Sequence, residues 1–242
     1  MCANSLRGTP QLKKAATLVD AFEDACKMEA PLNERLAAYT EALRQLNFPF
    51  AEAYDDLVAR LQAGEVGAMA PRVGDPMPPF ILPAHTGRLV SLEEILRLGP
   101  AVISFNRGHW CPFCKIELRT IASHQEEIAA HGGQLVSILP DRQQFVRQLP
   151  ADILNKFIIL TDVDNSYALS LGLVMWLGEH IASLMEGRGH RLSEYQCSDG
   201  WFVPLPATFI VGPDGRVIAR EVNPDFRKRM EIEDIISALK RA

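Results

Sequence analysis

The sequence predicts an α/β fold, a mixed central sheet flanked by helices behind a helical N-terminal extension. Three observations point there. Beyond about residue 80, short apolar runs such as Ala101–Phe105 and Ala207–Val211 alternate with segments of helical period. The last two apolar runs are joined by the tight turn Gly212-Pro213-Asp214-Gly215, which makes them antiparallel neighbours. Residues before about 70 carry the helical period alone.

Taken in order, residues 10–66 read as helical throughout. Leu12, Ala15, Val19, Phe22 and Cys26 recur at spacings of three and four, and Pro31 restarts the pattern as Leu32, Leu36, Tyr39, Leu43 and Leu46. Asn47-Phe48-Pro49 breaks that helix, and Tyr54, Leu57, Val58 and Leu61 predict a third one ending at Gly64. The apolar face of this antiparallel arm has two readings, docking on the body of its own chain or on a second copy as a homodimer. Between Ala70 and Pro79, four prolines and a glycine favour an extended linker. The expected organisation is therefore a helical arm at 1–70 and an α/β domain at 71–242, with a polar insertion at about 174–202. Within that domain Phe80-Ile81-Leu82 reads as a short strand, His85–Arg88 as a turn, and Ser91-Leu92-Glu93-Glu94 as a capping box. Ala101–Phe105 is a buried strand, followed by a helix from about Cys114 to Ala130 that Gly132-Gly133 stops. Strands at Leu135–Leu139 and Phe157–Leu160 are separated by a helix capped by Asp141. Strands Ala207–Val211 and Arg216–Val222 and a helix from about Glu231 close the chain.

A formal charge of −5 excludes a globally cationic surface for nucleic acid or anionic membrane. No apolar run approaches the ~20 residues of a membrane helix. Met1-Cys2-Ala3-Asn4-Ser5 lacks the apolar block of a secretory signal, so a cytoplasmic protein is expected, without nucleic-acid or membrane partners. Five cysteines, an odd number, in a chain long enough to bury a core without staples point to redox chemistry or metal binding rather than structural disulfides.

One cysteine pair is close. Strand Ala101–Phe105 runs into Asn106-Arg107-Gly108-His109-Trp110 and then Cys111-Pro112-Phe113-Cys114. At a strand-to-helix junction the two sulfurs of a CxxC meet across one helical turn, and the helix N-terminus stabilises a thiolate. Pro112 suits the first turn, and Arg107 and His109 add positive potential. A zinc site needs about four ligands, and no second CxxC or HxxxH accompanies the pair, so no metal is expected. Trp110 and Phe113 wall the site or pack it. Cys26 reads as core, Cys197 as incidental or an extra resolving thiol, and His180 and His190 as surface residues. Pro206, directly before the strand Ala207–Val211, suits only the start of a strand. There, with a cis or a trans bond, it would pack beside the CxxC and offer backbone to a substrate. Together the CxxC and this proline make the sequence look like the thioredoxin fold.

From Val73-Gly74-Asp75-Pro76-Met77-Pro78-Pro79-Phe80 to the C-terminus the chain resembles the peroxiredoxin and alkyl hydroperoxide reductase superfamily, most of all its CxxC-bearing peroxiredoxin-like branch. The resemblance rests on Phe105 to Cys114, Leu160-Thr161-Asp162-Val163-Asp164, Trp201 with Pro204-Leu205-Pro206-Ala207-Thr208-Phe209, and Asn223-Pro224-Asp225-Phe226. Registered on the family's pattern, Cys114 takes the peroxidatic position and Glu117 that of the glutamate three residues on. Cys111 replaces the family's threonine, Arg107 its proline, and Pro206 stands where the family has an arginine.

Two mechanisms follow. The resemblance implies that the Cys114 thiolate attacks a peroxide and Cys111 resolves the sulfenic acid as a disulfide. The local motif implies that Cys111 is the low-pKa nucleophile and attacks a disulfide, with Cys114 resolving. Without a nucleotide, flavin or haem motif no cofactor is expected, and an external thioredoxin-like electron donor is implied. A third reading makes the dithiol a redox sensor and the arm its interaction surface.

Overall fold

The computed structural model describes residues 15–242. Cys2 and Leu12, the first residue of the first helical stripe, lie outside the described residues. The arm is three helices, α1 (Leu18–Lys27), α2 (Leu32–Gln45) and α3 (Phe50–Ala63). Thr17 opens α1 by accepting the Asp20 N–H, as a good N-cap should. Pro31 opens α2 without a side-chain cap of its own. The Glu231 carboxylate, from the far end of the chain, supplies one by accepting the Leu32 and Asn33 N–H groups at 2.8 and 2.9 Å. Leu32, Leu36, Tyr39 and Leu43 of α2 and Tyr54, Leu57, Val58 and Leu61 of α3 are buried within this single chain. The body of the chain therefore covers the face that the sequence left open. Of the described residues in the expected α1 stripe, Ala15 is buried and Phe22 and Cys26 pack against the core, while Val19 is exposed; Ala21 and Ala25 are buried beside them.

The proline-rich segment is pinned rather than free. Gly74 N–H and Met77 N–H donate to the carbonyls of Val217 and Gly215. The hairpin β1 (Ile81–Pro83) and β2 (Leu89–Ser91) follows, and Ser91 caps α4 (Leu92–Leu96) by accepting the Glu94 N–H. Then come β3 (Ala101–Phe105), α5 (Pro112–Ser123), α6 (Gln125–Ala130), β4 (Gln134–Leu139), α7 (Gln143–Val146), α8 (Ala151–Leu154), β5 (Ile158–Thr161) and α9 (Ser166–Ser170). The single helix expected from Cys114 to Ala130 is thus two, divided at His124. The insertion is more ordered than its polarity suggested. It holds β6 (Val174–Trp176), α10 (Glu179–Glu186), α11 (Leu192–Tyr195) and β7 (Phe202–Pro204), with β6 and β7 paired antiparallel. The chain ends with β8 (Ala207–Val211), β9 (Val217–Val222) and α12 (Ile232–Leu239).

The central sheet has the order β5-β4-β3-β8-β9, with β3, β4 and β5 parallel and β8 and β9 antiparallel additions. Alternate residues serve opposite faces. Ile103, Phe105, Val136 and Ile138 join the core beneath the arm, while Val102, Leu135, Leu139 and Ile210 join a second core with α6 and α12. This is the mixed α/β architecture that the sequence predicts. Among the described residues no helix is long and apolar enough to cross a membrane.

Candidate active site

The β3 strand delivers its C-terminal end to the loop Asn106–Trp110, and α5 begins immediately after it. Asn106 anchors the loop's start, its side-chain amide donating to Ser104 and to the Ser137 hydroxyl of the neighbouring strand. Gly108 has φ +142, and a Cβ there would lie 2.5 Å from Trp110 Nε1, so only glycine fits the bend. Asp141 ties the loop to the end of β4. It accepts the His109 N–H at 2.6 Å, while the His109 ring lies between Phe145 and Tyr195. This corrects the expected role of Asp141 as a helix cap. The following helix starts one residue later without a side-chain cap, and the carboxylate turns to the loop's free N–H instead.

Cys111 is the N-cap of α5, and its Sγ accepts the Cys114 N–H at 3.4 Å. Pro112 takes the first helical position, where its missing N–H costs nothing. Arg107, fully buried, reaches back with two donors to the same sulfur, Nε at 3.3 Å and Nη2 at 3.1 Å. Burial alone pushes the Cys111 thiol up. The hydrogen bond with the Cys114 thiol, the Arg107 charge and the Cys114 N–H outweigh it and hold Cys111 well below the ordinary thiol range. Cys114 is driven the other way, by burial, by its hydrogen bond to Cys111 and by that neighbour's charge. The surroundings thus favour ionisation of Cys111 over that of Cys114.

A second arginine, which sequence reasoning missed, serves Cys114. Arg229, in the segment between β9 and α12, places Nη2 3.8 Å from Cys114 Sγ and pairs through Nε with Glu117 at 2.9 Å. Arg229 and Glu117 are both buried, and Thr208 of β8 donates to the other Glu117 oxygen. The glutamate position of the family pattern, together with the quoted Asn223–Phe226 segment just upstream, was the signal that could have led to it.

The arm roofs the site. Tyr54 of α3, Trp110 and Phe226 place their ring centroids 5.4, 5.3 and 4.2 Å from the Arg107 guanidinium carbon. Tyr39, Tyr54 and Phe226 also pack edge-on against Phe113. Under this roof neither cysteine has appreciable exposed surface. Cys111, Cys114, Arg107, Trp110 and Glu117 thus come together as expected. Pro206 is buried directly before β8, whose first residue Ala207 pairs with Phe105 at the end of β3. Its peptide bond is trans, since the described residues include no cis bond. Cys197, His180 and His190 are exposed, and Cys26 is half-buried against α5, with Arg119 3.5 Å from its sulfur. Among the described residues no three His, Cys, Asp or Glu side chains cluster as metal ligands.

A sequence model described as the AhpC/TSA family matches residues 73–220. No curated protein matches the chain. Among solved structures, the peroxidoxin BcpB of Mycobacterium tuberculosis is similar, with a TM-score of 0.54 at 20% identity over 71% of this chain and 97% of its own. Reduced Prx3 of Vibrio vulnificus in complex with hydrogen peroxide gives 0.54 at 20% identity over 69% and 98%. Mycobacterium tuberculosis AhpC gives 0.51 at 15% identity over 71% and 92%. These likenesses share the fold of the α/β domain, and the family match spans more than half of the chain. The chain therefore belongs to the AhpC/TSA family, a family of thiol-dependent peroxidases and oxidoreductases.

Proposed function

We propose that the protein reduces peroxides through a Cys111/Cys114 cycle in which Cys111 is the attacking sulfur. The observation that carries this is the pair of Arg107 donors on Cys111 Sγ at the N-terminus of α5. A thiolate is the nucleophile, and the charge and donors around Cys111 support it as that sulfur. It attacks the terminal oxygen of ROOH: the O–O bond breaks, an S–O bond forms to give the Cys111 sulfenic acid, and the departing alkoxide takes a proton from water to leave as ROH. Arg107 Nη1, buried and without a hydrogen-bond partner among the described residues, is a spare donor for that developing charge. Cys114 then gives up its proton and attacks the Cys111 sulfenic acid, releasing water and closing the disulfide. The Arg229 guanidinium favours the thiolate that Cys114 must become. Two electrons and two protons from an external thioredoxin-like dithiol reopen the bridge.

The family's register favours Cys114 as peroxidatic, and the electrostatics favour Cys111. The same Cys111, at the first position of a CxxC at the N-terminus of α5, also suits thiol-disulfide exchange. That is the second reading.

The test treats the reduced protein and its Cys111→Ser and Cys114→Ser variants with hydrogen peroxide, trapping sulfenic acid with dimedone for mass spectrometry. Rapid oxidation retained in Cys114→Ser, with the adduct on Cys111, is the expected result. An adduct on Cys114 in Cys111→Ser at the wild-type rate would reverse the roles. Oxidation of the wild type no faster than that of a free thiol would remove the peroxidase reading in favour of disulfide exchange.

A further inference from the structure

Directly outside the roof of the thiol pair lies a cavity of about 280 Å³. Tyr39, Tyr54, Trp110 and Pro112 line it, so two of the three rings over Arg107, those of Tyr54 and Trp110, also face the cavity. Phe22, Phe48 and Phe50 of the arm and Met185 of α10 complete an apolar lining, with Val19 on the outer side. The exposed Val19, at odds with its own helical stripe, thus has a place. The arm and the insertion build most of this wall, and the arm lies outside the stretch that the family model matches.

The polar residues of the lining are Lys115, Arg188 and His190, and none is acidic. Lys115 Nζ lies 5.6 Å from the Phe22 ring centroid, and the Arg188 guanidinium lies 4.3 Å from that of Phe48. Among the described residues neither cation forms an ion pair, although the chain carries more acidic than basic residues. His190 binds the Tyr195 hydroxyl through Nδ1 at 2.9 Å. Partial burial first, and then its charged neighbours, Arg188 and Lys115 among them, lower its pKa. An apolar pocket with two unpaired cations complements a molecule that is apolar along its length and anionic at one end. At ~30 Å³ per water the cavity would hold roughly nine waters, which matches a chain of about eight to ten carbons.

We propose that this cavity is a binding site for an amphipathic carboxylate, and that it receives the organic part of a peroxide substrate. The chain packs on Phe22, Phe48 and Phe50, and Lys115 and Arg188 hold the carboxylate. As a substrate site it rests on the peroxidase reading; as a binding site it does not.

The first arm of the experiment titrates the reduced full-length protein with decanoate and with decanol by calorimetry, where no turnover occurs. Decanoate is expected to bind saturably and more tightly than decanol. Lys115→Gln and Arg188→Gln should each weaken decanoate by about fivefold and leave decanol unchanged. Equal affinity for acid and alcohol, or decanoate binding indifferent to both substitutions, overturns the site. The second arm measures thiol oxidation by a hydroperoxide of decanoic acid and by that of its methyl ester. A lower KM for the acid, lost in the two variants, supports the substrate assignment, and equal KM values overturn it. Decanoate binding without oxidation by any hydroperoxide would end the peroxidase reading while leaving the binding site in place.

Discussion

Arg107 touches the Cys111 sulfur with two donors and adds its charge there, beside the Cys114 hydrogen bond. Removing it while keeping an apolar side chain under the three rings tests that directly. With Cys111 held below the ordinary thiol range, its alkylation rate should stay flat through neutral pH and fall only as acid protonates the sulfur. In Arg107→Leu that fall should move upward toward the free-thiol pKa of about 8.5, with at least a tenfold loss of rate at pH 7. Iodoacetamide kinetics across pH measure it, and an unmoved profile would show that Arg107 does not set the thiolate. The residues of this site divide sharply by how visible they are in the sequence. Cys111, Cys114 and Arg107 lie within one turn and loop, so their spacing announces them. Arg229 is 115 residues from Cys114, and no local pattern connects the two.

At the scale of elements, the loop between β3 and α5 is shaped by a buried carboxylate from a different strand end. Asp141 is pushed upward in pKa by burial, and the His109 contacts offset part of that. Its acceptor role toward the His109 N–H needs an oxygen rather than a charge. Asp141→Asn should therefore fold with little loss, whereas Asp141→Ala leaves that N–H unpaired and should cost ~1–3 kcal/mol. Urea denaturation of both variants separates the two cases, and equal destabilisation would mean that the charge matters instead. Elements with strong local patterns, β3, β8, α2 and the Ser91 cap, are read correctly from sequence. The β6–β7 hairpin is not, because Val174–Trp176 and Phe202–Pro204 are three-residue strands separated by two helices. A run that short carries no periodicity.

At the scale of the molecule, the arm is both a core element and the cover of the thiol pair. Its attachment is specific: Glu231, just before α12, caps α2, and Asn33 exchanges hydrogen bonds with the Arg229 backbone. The cap and the arginine that serves Cys114 therefore belong to one segment. Glu231→Ala should lower stability by about 0.5–2 kcal/mol, as loss of a helix cap does, and should speed both proteolysis near Pro31 and alkylation of Cys111. Unchanged alkylation alongside faster proteolysis would show that the arm does not control access to the sulfur.

By itself the sequence determined the α/β class, the strands that carry the motif, and the CxxC with its neighbouring arginine. Each of these depends on residues close in the chain, where hydrophobic period and helix-end chemistry act locally. Tertiary structure decided that Arg107 reaches back to the Cys111 sulfur, that the distant Arg229 lies beside Cys114, and that the arm roofs the site and shapes a cationic apolar cavity beside it. Those outcomes depend on burial and on charges brought together from distant segments. Both are properties of the packed chain rather than of any stretch of it.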